Sequence, residues 1–196
     1  MGQSGQKSAA QERIPGNIFL VGMMGAGKTS VGKLLARRLG KTFYDCDHEV
    51  ERATGVKVAV IFEIEGEAGF RARESKTLDE LVRKRDIVLA TGGGAVLSAE
   101  NRRLLSGNGV VAYLRATPAD LYSRTRQDRN RPLLRTADPL MRLTELHAER
   151  DPLYREVADV VVDTGSQSVG SLAHRLEQQL LQHVPQGGEN APVGTD

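Results

Sequence analysis

The chain has no tryptophan and only four phenylalanines and four tyrosines. These aromatics form no series on which bases could stack, so a single-strand nucleic-acid platform is not expected. One cysteine, Cys46, excludes an internal disulfide and fits a reducing compartment. His48, His147, His174 and His183 show no metal-ligand spacing with Cys46 or with one another. No apolar run approaches the ~20 residues of a membrane span. The first residues carry no apolar segment of the secretory type. Neither sign of charge dominates: 27 basic and 25 acidic side chains leave +2, too balanced for a nucleic-acid or acidic-membrane partner. A soluble cytoplasmic protein is the expectation that these absences leave.

What is present is ordinary in bulk. A chain of 196 residues with 39% hydrophobic and 27% charged side chains suits one well-cored domain. Residues 1–14 and 185–196 are rich in Gly, Ser, Gln and Pro, and disordered tails are expected there. Between them, over 15–184, apolar runs alternate with helical spacing. The strand candidates are "NIFLVG" (17–22), "TFYD" (42–45), "DIVLA" (86–90), "GVVAYL" (109–114) and "ADVVVD" (158–163). Such unbroken apolar runs belong to parallel strands covered on both faces. Helices are expected over 30–40, 74–85 and 166–184, the first ending at Gly40. The alternation predicts an α/β sandwich whose ligands sit at the carboxyl ends of the strands.

"GMMGAGKT" (22–29) fits G-x-x-x-x-G-K-[ST], follows an apolar strand and opens an amphipathic helix. Gly22, Gly25 and Gly27 let the backbone wrap an anion, with N–H groups and a helix N-terminus facing phosphate oxygens. Lys28 would reach the β and γ phosphates, and the Thr29 hydroxyl would bind Mg²⁺. No D-x-x-G switch is present, and "RKRD" (83–86) is no guanine-reading motif, so a GTPase is rejected. The strand "DIVLA" ends in "TGGG" rather than the Asp of a motor ATPase, so the metal needs another carboxylate.

Asp45 and Asp47 answer that need. Alternate residues of an extended chain point the same way, so both acids can face one site. Asp45 ends the second strand and can serve Mg²⁺, directly or through water. Asp47 is then free to orient an acceptor hydroxyl or take its proton, or else it caps the helix "HEVERATG". Cys46 between two acids is expected to have a raised pKa and to be unreactive.

Arg71, Arg73 and Glu74 fall near the start of a helix, as a solvated face or beside an anion. Gly92, Gly93 and Gly94 leave no side chains, so a ligand can press on the backbone. "RTRQDRNRPLLRT" (124–136) has five arginines in thirteen residues and reads as an exposed loop, either simply solvated or a lid over ATP. Arg150 and Arg155 flank Pro152 before the last strand. Several arginines with few aromatics suggest a small anionic acceptor, with no choice between Arg71 and Arg73 or between Arg150 and Arg155.

"GMMGAGKT", "FYDCD", "IFEIEGEAGFRARE", "TGGGAV", "NRPLL" and "ERDPLYREVAD" stand in this order. With that set the chain resembles the bacterial shikimate kinase family over about residues 15–184. The resemblance implies a three-layer α/β/α sandwich of the P-loop nucleoside-monophosphate-kinase-like build, with a five-stranded parallel sheet in the order 2-3-1-4-5. It implies a shikimate-binding region at about 45–75 and a lid at about 124–136. The implied activity is transfer of the ATP γ-phosphate to the 3-hydroxyl of shikimate, with Mg²⁺ as cofactor and ATP as co-substrate. Carried onto this sequence, Gly25, Ala26, Gly27, Lys28, Thr29 and Ser30 cradle ATP, and Thr29 and Asp45 serve the metal. Asp47, Arg71, Gly92, Gly93, Gly94 and Arg150 meet shikimate, the two arginines on its carboxylate and Asp47 on its hydroxyls. Glu74 positions Arg71 by an ion pair. Arg131 is the lid arginine by the phosphates, and Arg124 and Gln167 border the adenine. Lys28, Asp47 and Arg131 would carry the catalysis, in a monomer. The competing readings are a gluconate-type sugar-acid kinase and a nucleotide-binding module without catalysis.

Overall fold

The structure is a computed structural model and describes residues 14–127 and 132–183. Among them, five strands form one parallel sheet: β1 Ile18–Val21, β2 Thr42–Asp45, β3 Ile87–Ala90, β4 Val110–Arg115 and β5 Val160–Asp163. Their order is β2-β3-β1-β4-β5, as the family resemblance implied. β1 and β3 are buried at every residue and β4 at all but its ends, the physical reason each reads as a continuous apolar run. At the edge, β5 alternates, with Val160 and Val162 buried and Val161 and Asp163 outside.

Seven helices connect and cover the strands: α1 Lys28–Leu39, α2 Cys46–Thr54, α3 Val58–Val82, α4 Ala99–Asn108, α5 Pro118–Thr125, α6 Pro139–Val157 and α7 Val169–His183, counted among the described residues. The step from β1 to β2 runs one way across the sheet, and every later step runs the other way. Right-handed crossovers therefore put α1 on one face and α3, α4 and α6 on the other. α7 returns to pack on α1, closing the three layers. The chain leaves β1 and β3, which are neighbours, toward opposite faces. That divergence opens a crevice at their carboxyl ends.

Several boundaries shift for local reasons. α1 starts at Lys28 rather than Ser30, because Val31 N–H already bonds the Gly27 carbonyl at 2.9 Å. The helix expected over 74–85 is the second half of α3 and stops at Val82. α3 is broken at Gly66, whose φ of 70° and ψ of −176° suit glycine alone, so Arg71 and Arg73 follow a fresh helix start. α7 begins at Val169 because the Ser168 hydroxyl accepts from Ser171 N–H at 3.1 Å, a cap. The tail expected over 1–14 meets the described residues only at Ile14, which is buried in the main core rather than loose. The lid expected over 124–136 begins inside α5: Arg124 and Thr125 are helical and Thr125 is buried. Beyond residues 128–131, Pro132–Leu134 forms a 3₁₀ turn with Leu133 and Leu134 against the core.

The main core lies on both faces of the sheet. A second, small cluster of Val50, Ile61 and Phe70, with Val58 and Phe62 beside it, joins α2 to α3. The Phe62 and Phe70 rings lie 4.9 Å apart. Each such side chain contributes about 1.5–3 kcal/mol on burial, enough to hold α2 against α3.

Candidate active site

The phosphate loop leaves β1 at Gly22. Its φ of 139°, and a position where a Cβ would stand 2.5 Å from the Leu114 carbonyl oxygen, admit only glycine. Lys28 bends back over the loop and donates to the Gly22 and Met23 carbonyls at 2.7 and 2.9 Å. Its ammonium thus lies at the mouth of the anion cradle. The next residue, Thr29, donates from Oγ1 to Asp45 Oδ2 at 2.6 Å. Two hard oxygens side by side at the loop exit fit Mg²⁺, which takes a carboxylate and a hydroxyl and keeps several waters.

Asp45 has a second task. It caps α2, accepting from the N–H groups of Asp47 at 3.1 Å and His48 at 3.4 Å. The cap is therefore Asp45, not Asp47. The chain is extended only as far as Asp45, so the two acids share a neighbourhood by a strand-to-helix turn rather than by strand alternation.

A pocket of about 260 Å³ lies beside the loop, lined by Gly25, Ala26, Gly27, Ser30, Arg124 and Gln167, with Thr164, Gly165, Val169 and Leu172 beyond them. Arg124 builds its wall. It donates from Nη1 to Thr164 Oγ1 at 3.0 Å and to the Gly25 carbonyl at 3.3 Å, and from Nη2 to the Gly165 carbonyl. The Gln167 amide, oriented by its partners, accepts from Arg175 Nη1 at 2.9 Å. Arg175 was not anticipated; only the fold brings α7 to that loop.

A second pocket, about 210 Å³, opens on the other side of the phosphate loop. It gathers Asp47, Arg71, Glu74, Gly92, Gly93, Gly94 and Arg150, with Phe62, Phe70, Met24 and Leu133 as apolar walls. Arg150 is 2% exposed, yet its Nε and Nη1 have no hydrogen-bond partner. Asp47 Oδ1 and Glu74 Oε1 are likewise buried and unpartnered. Buried polar atoms without a partner are costly, and here those of three charged side chains line one cavity, which is what a site for a polar anion requires.

Arg71 is held in place by Glu74 at 2.7 Å and Glu67 at 3.0 Å, and its guanidinium carbon lies 5.2 Å from the Phe70 ring centroid. Burial opposes its charge, but those two carboxylates outweigh it and hold the guanidinium above its ordinary range. Of the two pairs of arginines left open by the sequence, Arg71 and Arg150 line this cavity and the others do not. Arg73 pairs outward with Glu65 and Arg155 with Asp151, both on exposed surface. The triple glycine also changes meaning. A Cβ on Gly92 would stand 2.0 Å from Glu74 Oε1, and one on Gly94 2.2 Å from Arg71 Nη2. These glycines make room for the protein's own charged side chains at the pocket wall.

Burial lifts the Asp47 carboxyl to about 6, helped by Glu74 and Asp45 and opposed by Lys28 and Arg71. Burial likewise raises Glu74 in spite of Arg71. Cys46 is fully buried; burial, then Glu74 and Asp47, push its thiol far up, as the flanking acids suggested. Arg131, expected over the phosphates, lies outside the described residues. Phe62, Phe70 and Met24 were missed because apolar residues carry no chemical motif.

An anion cradle flanked by two separate polar pockets can bring a phosphate donor to a second small molecule. With this sheet order it defines a small-molecule kinase of the P-loop class. A family model described as shikimate kinase matches residues 24–181. A shikimate kinase of Chromobacterium violaceum is 59% identical over 88% of this chain and 94% of its own length. One of Nitrosococcus oceani is 62% identical over 85% of this chain and 88% of its own length. Among solved structures, shikimate kinase from Acinetobacter baumannii in complex with shikimate superposes with a TM-score of 0.85 at 48% identity, covering 88% of this chain and 96% of that one. The chain belongs to the shikimate kinase family.

Proposed function

We propose that this chain transfers the γ-phosphoryl group of ATP to the 3-hydroxyl of shikimate, giving shikimate 3-phosphate and ADP in aromatic amino acid biosynthesis. The observation that carries the acceptor side is Arg150: a buried guanidinium with two unmatched donors, facing the same cavity as Arg71 and Asp47. A planar carboxylate satisfies two cations, and a ring hydroxyl satisfies an acid.

The roles follow from position. ATP lies along Gly25 to Ser30, its base in the pocket walled by Arg124 and Gln167 and its γ-phosphate toward the acceptor pocket. Lys28 swings from the loop carbonyls onto the phosphates and offsets charge in the in-line transfer. Arg131 adds a second cation from the lid. Shikimate sits with its carboxylate between Arg71 and Arg150 against Gly92, Gly93 and Gly94. Asp47 accepts the hydrogen bond of the 3-hydroxyl, aims its oxygen and takes its proton as the P–O bond forms. Mg²⁺, held by Thr29 and Asp45, supplies charge neutralisation on the phosphate oxygens when bound. The enzyme is proposed to act as a cytoplasmic monomer; no described helix is long and apolar enough to cross a membrane.

The test is coupled ADP release with Mg²⁺-ATP and shikimate, gluconate or no acceptor. Release that depends on shikimate is expected. Release with gluconate alone would overturn the acceptor, and ATP binding without release would favour a non-catalytic module.

A further inference from the structure

One buried hydroxyl touches both the wall of the acceptor pocket and the phosphate loop without appearing in any role above. Tyr154, on α6, is fully buried. Its hydroxyl donates to the Gly93 carbonyl, and the oxygen lies 3.6 Å from Met23 Sδ. The Arg150 guanidinium, one turn earlier on α6, acts on the same hydroxyl, favouring its ionised form against burial. Each contact belongs to a different part. Gly93 is in the wall of the acceptor pocket, Arg150 is its buried cation, and Met23 is in the phosphate loop. The Met23 carbonyl is also one of the two that receive Lys28. The loops are close at this point: a Cβ on Gly93 would stand 3.2 Å from Met24 N.

We propose that Tyr154 is a positioning residue whose hydroxyl ties the glycine loop, Arg150 and the phosphate loop into one unit, so that filling either pocket tightens the other. The bond to Gly93 fixes a whole peptide plane, because its C=O and the Gly94 N–H lie in that plane. The Arg150 contact selects one guanidinium orientation for a cation that otherwise has few partners. Met23 carries the constraint to the loop that holds Lys28. Burial keeps the phenol well above its ordinary pKa, against the opposing Arg150, so it remains a donor across the working pH range.

The neighbouring ring provides the control. Tyr113 packs on Tyr154 with centroids 4.9 Å apart, and its hydroxyl donates to Asp151 at 2.8 Å. Asp151 lines neither pocket. Tyr154→Phe and Tyr113→Phe therefore each remove one buried hydroxyl from the same stacked pair, and only the first touches the site.

The experiment rests on shikimate as acceptor and measures shikimate binding by titration calorimetry, with and without a non-hydrolysable ATP analogue. In the unsubstituted protein the analogue is expected to tighten shikimate binding. Tyr154→Phe is expected to raise the shikimate dissociation constant about tenfold, the worth of one buried hydrogen bond, and to bring the coupling factor toward one. Analogue binding alone should stay within twofold. Tyr113→Phe should lower the melting temperature comparably while leaving affinity and coupling unchanged. Tyr154→Phe with parental affinity and coupling overturns the proposal, as does an equal effect from Tyr113→Phe or a parent that binds shikimate without coupling. A parent that binds no shikimate overturns the acceptor reading itself, and this proposal with it, so the two failures are distinguishable.

Discussion

Asp47 is expensive to keep where it is. Burial pushes its carboxyl up to about 6 in the folded chain, from the 3.8 of an ordinary aspartate. Between those values the folded state binds more protons than the unfolded one, so stability falls as pH rises through that window. Above about pH 6 the full penalty applies, on the order of 2–3 kcal/mol. Asp47→Asn is therefore expected to raise the melting temperature at pH 7.5, with the gain vanishing near pH 4, read by thermal denaturation at both. The same variant should lose about 10²–10⁴-fold in kcat with ATP affinity within twofold. In the parent, kcat/KM for shikimate should fall about tenfold per unit below pH 6, because the proton acceptor must be ionised. For Arg150→Lys the charge remains and the planar fork goes, so steady-state kinetics should show shikimate KM raised about tenfold and ATP KM unchanged. At this scale the sequence revealed chemistry but not direction. Arg71 and Arg73 stand two apart on a helix and face nearly opposite ways. Which one meets the cavity depends on how α3 is rotated against the sheet, and that is set by Leu78, Leu81 and Val82 in the core.

Among elements, the best-read was the shortest in reach. The phosphate loop works through eight consecutive residues and its own backbone, so pattern and context sufficed to find it. The turn from β2 into α2 was harder. Either acid could cap that helix by type, but the helix begins at Cys46, which puts the cap two residues before Asp47. The glycine loop after β3 was visible as a loop, but its reason was not. Gly94 is small because Arg71 passes within 2.2 Å of where a Cβ would be. Gly94→Ala should displace that guanidinium and raise the shikimate KM at least tenfold. The obstacle is a side-chain end rather than backbone, so unfolding by urea should show a loss of only about 1 kcal/mol. A loss of stability with unchanged KM would contradict that account.

Across the whole molecule, stability and chemistry sit at opposite ends of the sheet. At the amino ends, buried Asn17 donates to the carbonyls of Val82, Lys84 and Asn108 and accepts from Ile87 N–H, knotting α3, β3 and α4 to β1. Asn17→Leu keeps the volume and strands those groups. It should cost about 3 kcal/mol in chemical denaturation while kcat, measured well below the melting temperature, stays within twofold. The sequence alone determined the parallel α/β class, the five strands and the phosphate loop, because burial on both faces and backbone anion binding leave their mark on contiguous residues. The order of the strands came from resemblance, since periodicity has no information on which neighbours pair. Only the tertiary structure decided that Asp45 is the cap, that Arg150 is buried with unmatched donors, and that Tyr154 touches two loops at once. The first depends on where β2 stops pairing with β3, and the others on α6 meeting the loops after β1 and β3; contacts between distant segments exist only once the chain has closed on itself.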